Sequence, residues 1–166
     1  MAKRQVFFSF HYNNDSWRAA QVKNMGKVSD SSTFSANEWE EVKEKSDSKI
    51  KDWIDGQMVK RSCLVVLIGK NTANRKWINY EINKAIELDK GIVGIYINKL
   101  KNSLREQDSE GDNPFDYFTL SGVSLSKYIK CFKSDYSMSN NVYNDIEENI
   151  EELIEYGIEH KPSTWQ

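Results

Sequence analysis

The sequence predicts an α/β fold, an open and mostly parallel sheet of about five strands with helices on both faces, and three observations predict it. Residues 6–10, 64–68 and 92–97 are nearly unbroken apolar runs of strand length, the pattern of strands covered on both faces. Residues 77–88 and 140–157 carry apolar side chains at helical spacing, so each presents one face to a core. Strand and helix patterns alternate along the chain, which is how parallel neighbours are joined. The simplest strand order is 2-1-3-4-5, which puts a topological switch point between strands one and three. A ligand crevice is then expected at their carboxyl ends, from Ser9 to Tyr12 and from Gly69 onward.

The first strand is expected at residues 5–10, where Val6, Phe7, Phe8 and Phe10 are apolar, and it opens into a polar turn at 11–15. A modest helix follows at 17–26, carrying Trp17, Ala20, Val22 and Met25, capped by Asn14 or Asp15 and stopped at Gly26. The Ser-rich residues 28–34 hold a short second strand at most. Residues 38–45 are mostly charged around Trp39 and Val42, the charged run 38–51 reads as a solvated face, and Ser46 or Asp47 can cap a helix running through Ile50, Trp53 and Ile54 to Gly56. Strand three is residues 63–68. The polar residues 70–76 offer Asn71, Thr72 and Asn74 as caps for the helix at 77–88, and strand four follows at 92–97.

Residues 98–122 form a long polar stretch with turn formers and aromatics gathered at 111–117, and loops of such length usually have a job. A short fifth strand is expected at 127–132. The last helix, 140–157, turns Val142, Ile146, Ile150, Leu153 and Ile154 inward, and the tail from His160 is expected to fray.

One domain, residues 1–166, is the expectation for a chain of 166 residues with 39% hydrophobic and 29% charged composition. A net charge of -2 argues against a nucleic-acid surface, which needs concentrated positive charge. No apolar run approaches the roughly 20 residues of a spanning helix and no signal-peptide core follows the N-terminus, so no membrane partner and a cytoplasmic location are expected. Cys63 and Cys131 stand far apart beside apolar residues, as buried reduced thiols do. His11 and His160 show no ligand spacing, so no metal site is assigned. Walker, G-x-S-x-G and G-x-G-x-x-G motifs are absent.

One residue breaks the pattern of its helix. On a wheel, Ile78, Ile82, Ala85 and Ile86 make the apolar centre of residues 77–88, with Trp77 and Leu88 on one flank, and Glu81 falls inside the arc. A carboxylate there must reach a buried partner, escape to a rim pair with Lys84 or Arg75, or face a cavity that uses its charge.

VFFSFHY, residues 6–12, resembles the first strand of TIR domains, and WINYEI, residues 77–82, resembles their W-x-x-x-E helix. The chain is similar over most of its length to the TIR-like proteins of bacterial Thoeris antiphage systems. There FFSFHY, an acidic Trp segment like NEWEEVKEKSD, a WxxYEI helix and an NPFDY loop occur in this order. The resemblance implies a flavodoxin-like TIR fold and cleavage of the nicotinamide glycosidic bond of NAD. NAD would be a substrate, with no cofactor, and the ADP-ribose product would become a cyclic or conjugated signal for a separate effector protein. Glu81 would be the catalytic carboxylate. Phe10 and His11 match positions that line the family's NAD pocket, and Trp39 and Asn113 match other motif positions. Ile78 stands where classical TIR domains usually have Cys, a departure that affects packing more than chemistry.

The chemistry is consistent with one carboxylate. Nicotinamide leaves as a neutral base and needs no general acid, so a single acid that stabilises the ribosyl cation suffices, whereas an ordinary glycosidase uses a pair. Phe10, Tyr12 or Trp39 can stack on the substrate rings. Plainer roles stand beside these: His11 bonded to its turn, Trp39 covering the sheet edge, Asn113 shaping the turn before Pro114. A non-enzymatic module acting through self-assembly, as a homo-oligomer, is the alternative function. A flavin carrier or phosphorelay receiver is disfavoured, because a receiver needs an Asp at the end of strand three, where Gly69 and Lys70 stand.

Overall fold

The computed structural model describes residues 3–29 and 44–165. Its strands are β1 (Val6–Ser9), β2 (Cys63–Ile68), β3 (Gly91–Tyr96), the two-residue β4 (Thr119–Leu120) and β5 (Val123–Ser124), and β6 (Cys131–Phe132). Its helices are α1 (Tyr12–Lys23), α2 (Asp47–Val59), α3 (Lys76–Glu87) and α4 (Ser139–Glu159). Four strands make a parallel sheet in the order β1-β2-β3-β6. The expected strands one, three, four and five are therefore neighbours in the expected sequence. The expected second strand falls on residues 28–34, of which 30–34 lie outside the described residues. Ser29 N donates to Arg4 O at 3.0 Å beside β1.

Alternation along each strand divides the core in two. Val6, Phe8, Val65, Leu67, Val93 and Ile95 pack against Ala19 and Val22 of α1 and the inner face of α4. Phe7, Leu64, Val66, Ile68, Ile92 and Tyr96 pack against α2, α3 and the segment holding Phe115, Leu125 and Ile129. Both faces are covered, which is why the runs read as continuous. Each such side chain stabilises the fold by about 1.5–3 kcal/mol on burial. Close approach sets α4 on β3: a Cβ on Gly157 would lie 2.5 Å from Val93 Cγ1.

β2 and α4 fall close to their expected bounds, and all five inward residues named for α4 are buried. α1 is different. It begins at Tyr12, not at residue 17, and Asn14 and Asp15 lie inside it instead of capping it. The reason is an ion pair. Asp15 and Arg18, both 0% exposed, meet at 3.0 Å on the buried face, while Trp17 and Ala20 are exposed. A polar stretch was thus half of a helix's inner surface. α2 starts as expected, with Ser46 Oγ accepting from Lys49 N, and runs through Gly56 to Val59.

α3 is capped by none of its expected residues: Arg75 is the cap position and makes no side-chain cap bond. Thr72 instead closes the end of β2, its Oγ1 accepting from Gly69 N at 2.7 Å and donating to Leu67 O at 3.3 Å. Only Cys131 and Phe132 of the fifth strand pair with β3, because Leu125–Lys127 coils as a 3-10 turn. The long polar stretch contains a 3-10 turn at Pro114–Tyr117 and a hairpin, β4 to β5, that turns through Ser121 and Gly122 with positive φ at both. The tail from His160 is docked, not frayed. Ser163 N donates to Asp89 Oδ1 at 2.8 Å, and Trp165 stacks on Tyr128 with centroids 5.6 Å apart. Among the described residues no helix is long and apolar enough to cross a membrane.

Candidate active site

A cavity of about 320 Å³ opens at the carboxyl end of β1. One wall is Phe8, Phe10, His11, Tyr12 and Asn13, where the chain leaves the strand for α1; the other is Arg75, Lys76, Trp77, Ile78 and Glu81, the start of α3. This is the end of the sheet at which the switch point predicts a crevice. The far wall differs in detail. Lys70, Asn71 and Asn74, which follow β2 directly, line a separate groove with residues 109–112 and Tyr117.

Glu81 is 3% exposed, and Ser9 Oγ donates to its Oε1 at 2.6 Å. The rim pair is not formed. Lys84 lies 3.2 Å from Glu87 and 3.8 Å from Asp55, and Arg75 Nε donates to Asn71 O. Burial pushes the Glu81 carboxyl up to about 8, and the Ser9 hydroxyl pulls it back down. At neutral pH the group therefore favours its protonated form. A cation placed against it reverses the balance, since an opposite charge at about 4–6 Å favours the carboxylate.

The walls are aromatic. Phe10 and Tyr12 lie 6.4 Å apart with planes inclined by 31°, and Trp77 meets Tyr80 edge-on at 5.9 Å. Lys76 is held by Asp47, and its ammonium sits 4.8 Å above the Trp77 ring. Such surfaces offer stacking faces to a planar ring and exclude water from the carboxyl between them.

Behind residues 11–13 the Arg18 guanidinium donates to Leu100 O and Glu106 O, both at 2.8 Å, and to Asp15 and Asp108, both at 3.0 Å. It ties residues 98–108 to α1. Asp15 also packs on Gly69, where a Cβ would lie 2.1 Å from Oδ2. Burial pushes the Asp15 carboxyl above its ordinary range, against the downward pull of Arg18.

Of the residues singled out from the sequence, Phe10, His11, Tyr12 and Glu81 are brought to one cavity. Asn113 is not among its lining residues. Its Oδ1 accepts from Phe115 N at 2.9 Å and caps the 3-10 turn, and its Nδ2 reaches Cys131 Sγ at 3.8 Å. Trp39 lies outside the described residues. Ser9, Arg75, Lys76 and Trp77 were not assigned a catalytic or substrate-binding role from the sequence, although Ser9 bordered the expected crevice. Two signals in the sequence point to them: Ser9 shares the Phe7 face of β1, which turns toward α3, and Trp77 stands four residues before Glu81 on one helix face.

The family model for the TIR-like domain of Thoeris protein ThsB matches residues 7–102, a span that includes both walls of the cavity. Over 138 residues the chain is 44% identical to the Bacillus cereus (strain MSX-D12) protein named "Putative cyclic ADP-D-ribose synthase ThsB1", a match covering 80% of this chain and 71% of that protein.

Proposed function

The chain belongs to the ThsB TIR-like family of Thoeris proteins, and from that premise we propose that it consumes NAD, releasing nicotinamide and closing the ADP-ribose into a cyclic nucleotide. The observation that carries this reading is Glu81, a carboxyl buried in the wall of an aromatic cavity with no ion-pair partner among the described residues. The identity to a protein named for cyclic ADP-D-ribose synthesis supports it.

The nicotinamide ring of NAD carries the positive charge that Glu81 lacks. Seated between the aromatic walls, it favours ionisation of the carboxyl. The bond between ribose C1′ and the ring nitrogen then breaks, its electron pair stays on the nitrogen, and neutral nicotinamide leaves without needing a proton. Positive charge spreads over C1′ and the ribose ring oxygen, where the Glu81 carboxylate stabilises it and the Ser9 hydroxyl fixes the carboxylate. An adenine ring nitrogen or a ribose hydroxyl of the same molecule supplies the electron pair for a new bond to C1′. The proton released by that attack passes to Glu81 or to solvent. Exclusion of water by Phe10, Tyr12 and Trp77 favours this closure over hydrolysis. The product acts as a diffusible signal for a separate effector in antiphage defence, and NAD is a substrate, not a cofactor.

The test is incubation of purified chain with NAD, chromatography of nicotinamide and mass spectrometry of the nucleotide product. Wild type is expected to release nicotinamide and a product of the mass of cyclised ADP-ribose. Glu81→Gln should lose activity by about 100-fold or more, the scale of removing a group that stabilises transition-state charge. Equal release from the two proteins would refute the role of Glu81. No release from wild type under any trigger would favour a module that acts by self-assembly.

A further inference from the structure

A dinucleotide is larger than the cavity of about 320 Å³ at Glu81, so if the substrate is NAD, its adenylate half must lie beyond that cavity. A second, more open groove of about 610 Å³ adjoins it, and Arg75 lines both. One bank of the groove carries Lys70 and Arg75, and the facing bank carries Glu110, Asp112 and Tyr117. The two segments approach closely, since a Cβ on Gly111 would lie 2.2 Å from Gly69 O.

The two banks differ in how their charges are used. Arg75 Nε is anchored on Asn71 O at 2.8 Å, which fixes the side chain at the junction of the two spaces. Neither Arg75 nor Lys70 takes part in an ion pair among the described residues. Glu110 is paired with Lys133 at 2.9 Å, and Asp112 accepts from Tyr117 at 3.2 Å, so the acidic bank is held in place.

We infer that this groove binds the ADP half of the dinucleotide, with Arg75 and Lys70 on the diphosphate and Asp112 and Glu110 accepting from the hydroxyls of the adenosine ribose. Guanidinium and ammonium groups are the natural partners of phosphate oxygens. Carboxylates recognise vicinal ribose hydroxyls in the same way that dinucleotide folds do. Tyr117, a lining residue that is 48% exposed, offers a face for the adenine ring. The assignment rests on the NAD reading and adds its second half: Glu81 reads the nicotinamide ribose, and the groove reads the adenylate half.

Calorimetric titration of the full chain with ADP tests it, because ADP lacks the nicotinamide half and is not cleaved. Wild type is expected to bind ADP, and Arg75→Ala and Asp112→Asn are each expected to weaken that binding by about tenfold, the loss of one charge-assisted contact. Arg75→Lys should recover part of the loss. Circular dichroism confirms that each variant is folded. In NAD turnover the same variants should raise KM more than they lower kcat. Failure of ADP to bind at millimolar concentration, or equal affinity in wild type, Arg75→Ala and Asp112→Asn, would overturn the assignment, even if NAD were cleaved. Groove-dependent ADP binding without NAD cleavage would uphold the site and sink the reaction.

Discussion

Glu81→Gln should make the protein more stable above neutral pH, and by an amount that depends on pH. The wild-type carboxyl is buried, with burial pushing it from 4.5 up to about 8. Below 4.5 the group is protonated both in the folded and in the unfolded chain, and it costs nothing. Between 4.5 and 8 the unfolded chain ionises while the folded chain keeps the proton, so wild-type stability falls as pH rises; above 8 the loss is complete. At about 1.4 kcal/mol per pH unit the full loss is on the order of 4–5 kcal/mol, an upper bound that relaxation and water entry reduce to about 2 kcal/mol. The amide has no such loss, and its oxygen still accepts from Ser9. Urea unfolding followed by far-UV circular dichroism, at intervals from pH 5 to pH 9, measures the difference. The variant should match wild type within about 0.5 kcal/mol at pH 5 and exceed it by about 2 kcal/mol at pH 9, or about 4–8 °C in melting temperature. A difference that stays flat across this range, or a variant that loses ground as pH rises, would refute the claim that burial raises the Glu81 pKa in the folded chain.

Three further outcomes follow from the same geometry. Ser9→Ala removes the donor that lowers the Glu81 pKa, so the acid limb of the pH profile for nicotinamide release should move to higher pH, with activity at pH 7 down about tenfold or more; an unmoved limb counts against the contact. Arg18→Met removes the cation from Asp15 and Asp108, leaving them the Asn14 amide as donor, and the side-chain donors from two backbone carbonyls, and should cost about 3–5 kcal/mol in denaturant unfolding, with faster proteolysis within residues 98–108. Gly157→Ala should destabilise by about 1–3 kcal/mol, although alanine is the better helix former, because its Cβ would meet Val93 at 2.5 Å; a stabilised variant would show that α4 can lift off β3 without loss.

The readable parts of the fold were those where burial is two-sided. β1, β2 and β3 stand out because neither face of the central strands sees water, and α4 stands out because one face does. Glu81 was legible for the same reason, as the carboxylate that broke an apolar arc. The start of α1 was not, because Asp15 and Arg18 look like solvent-facing residues until each is seen as the other's buried partner. Nor was the docked tail: Trp165 is placed by Tyr128, distant along the chain.

By itself the sequence determined the α/β class, the order of the described strands and the one acid worth asking about, since those follow from local periodicity and the rules of parallel connection. Only the tertiary structure decided what Glu81 faces. Pairing Ser9 beside Val66 in register and laying α3 across their face of the sheet set Ser9 against the carboxyl, left Lys84 and Arg75 engaged elsewhere, and put Phe10, Tyr12 and Trp77 around one space. The physical reason is that the ionisation of a buried acid is set by the charges and donors within a few ångströms of it. Those neighbours come from β1, some seventy positions away along the chain.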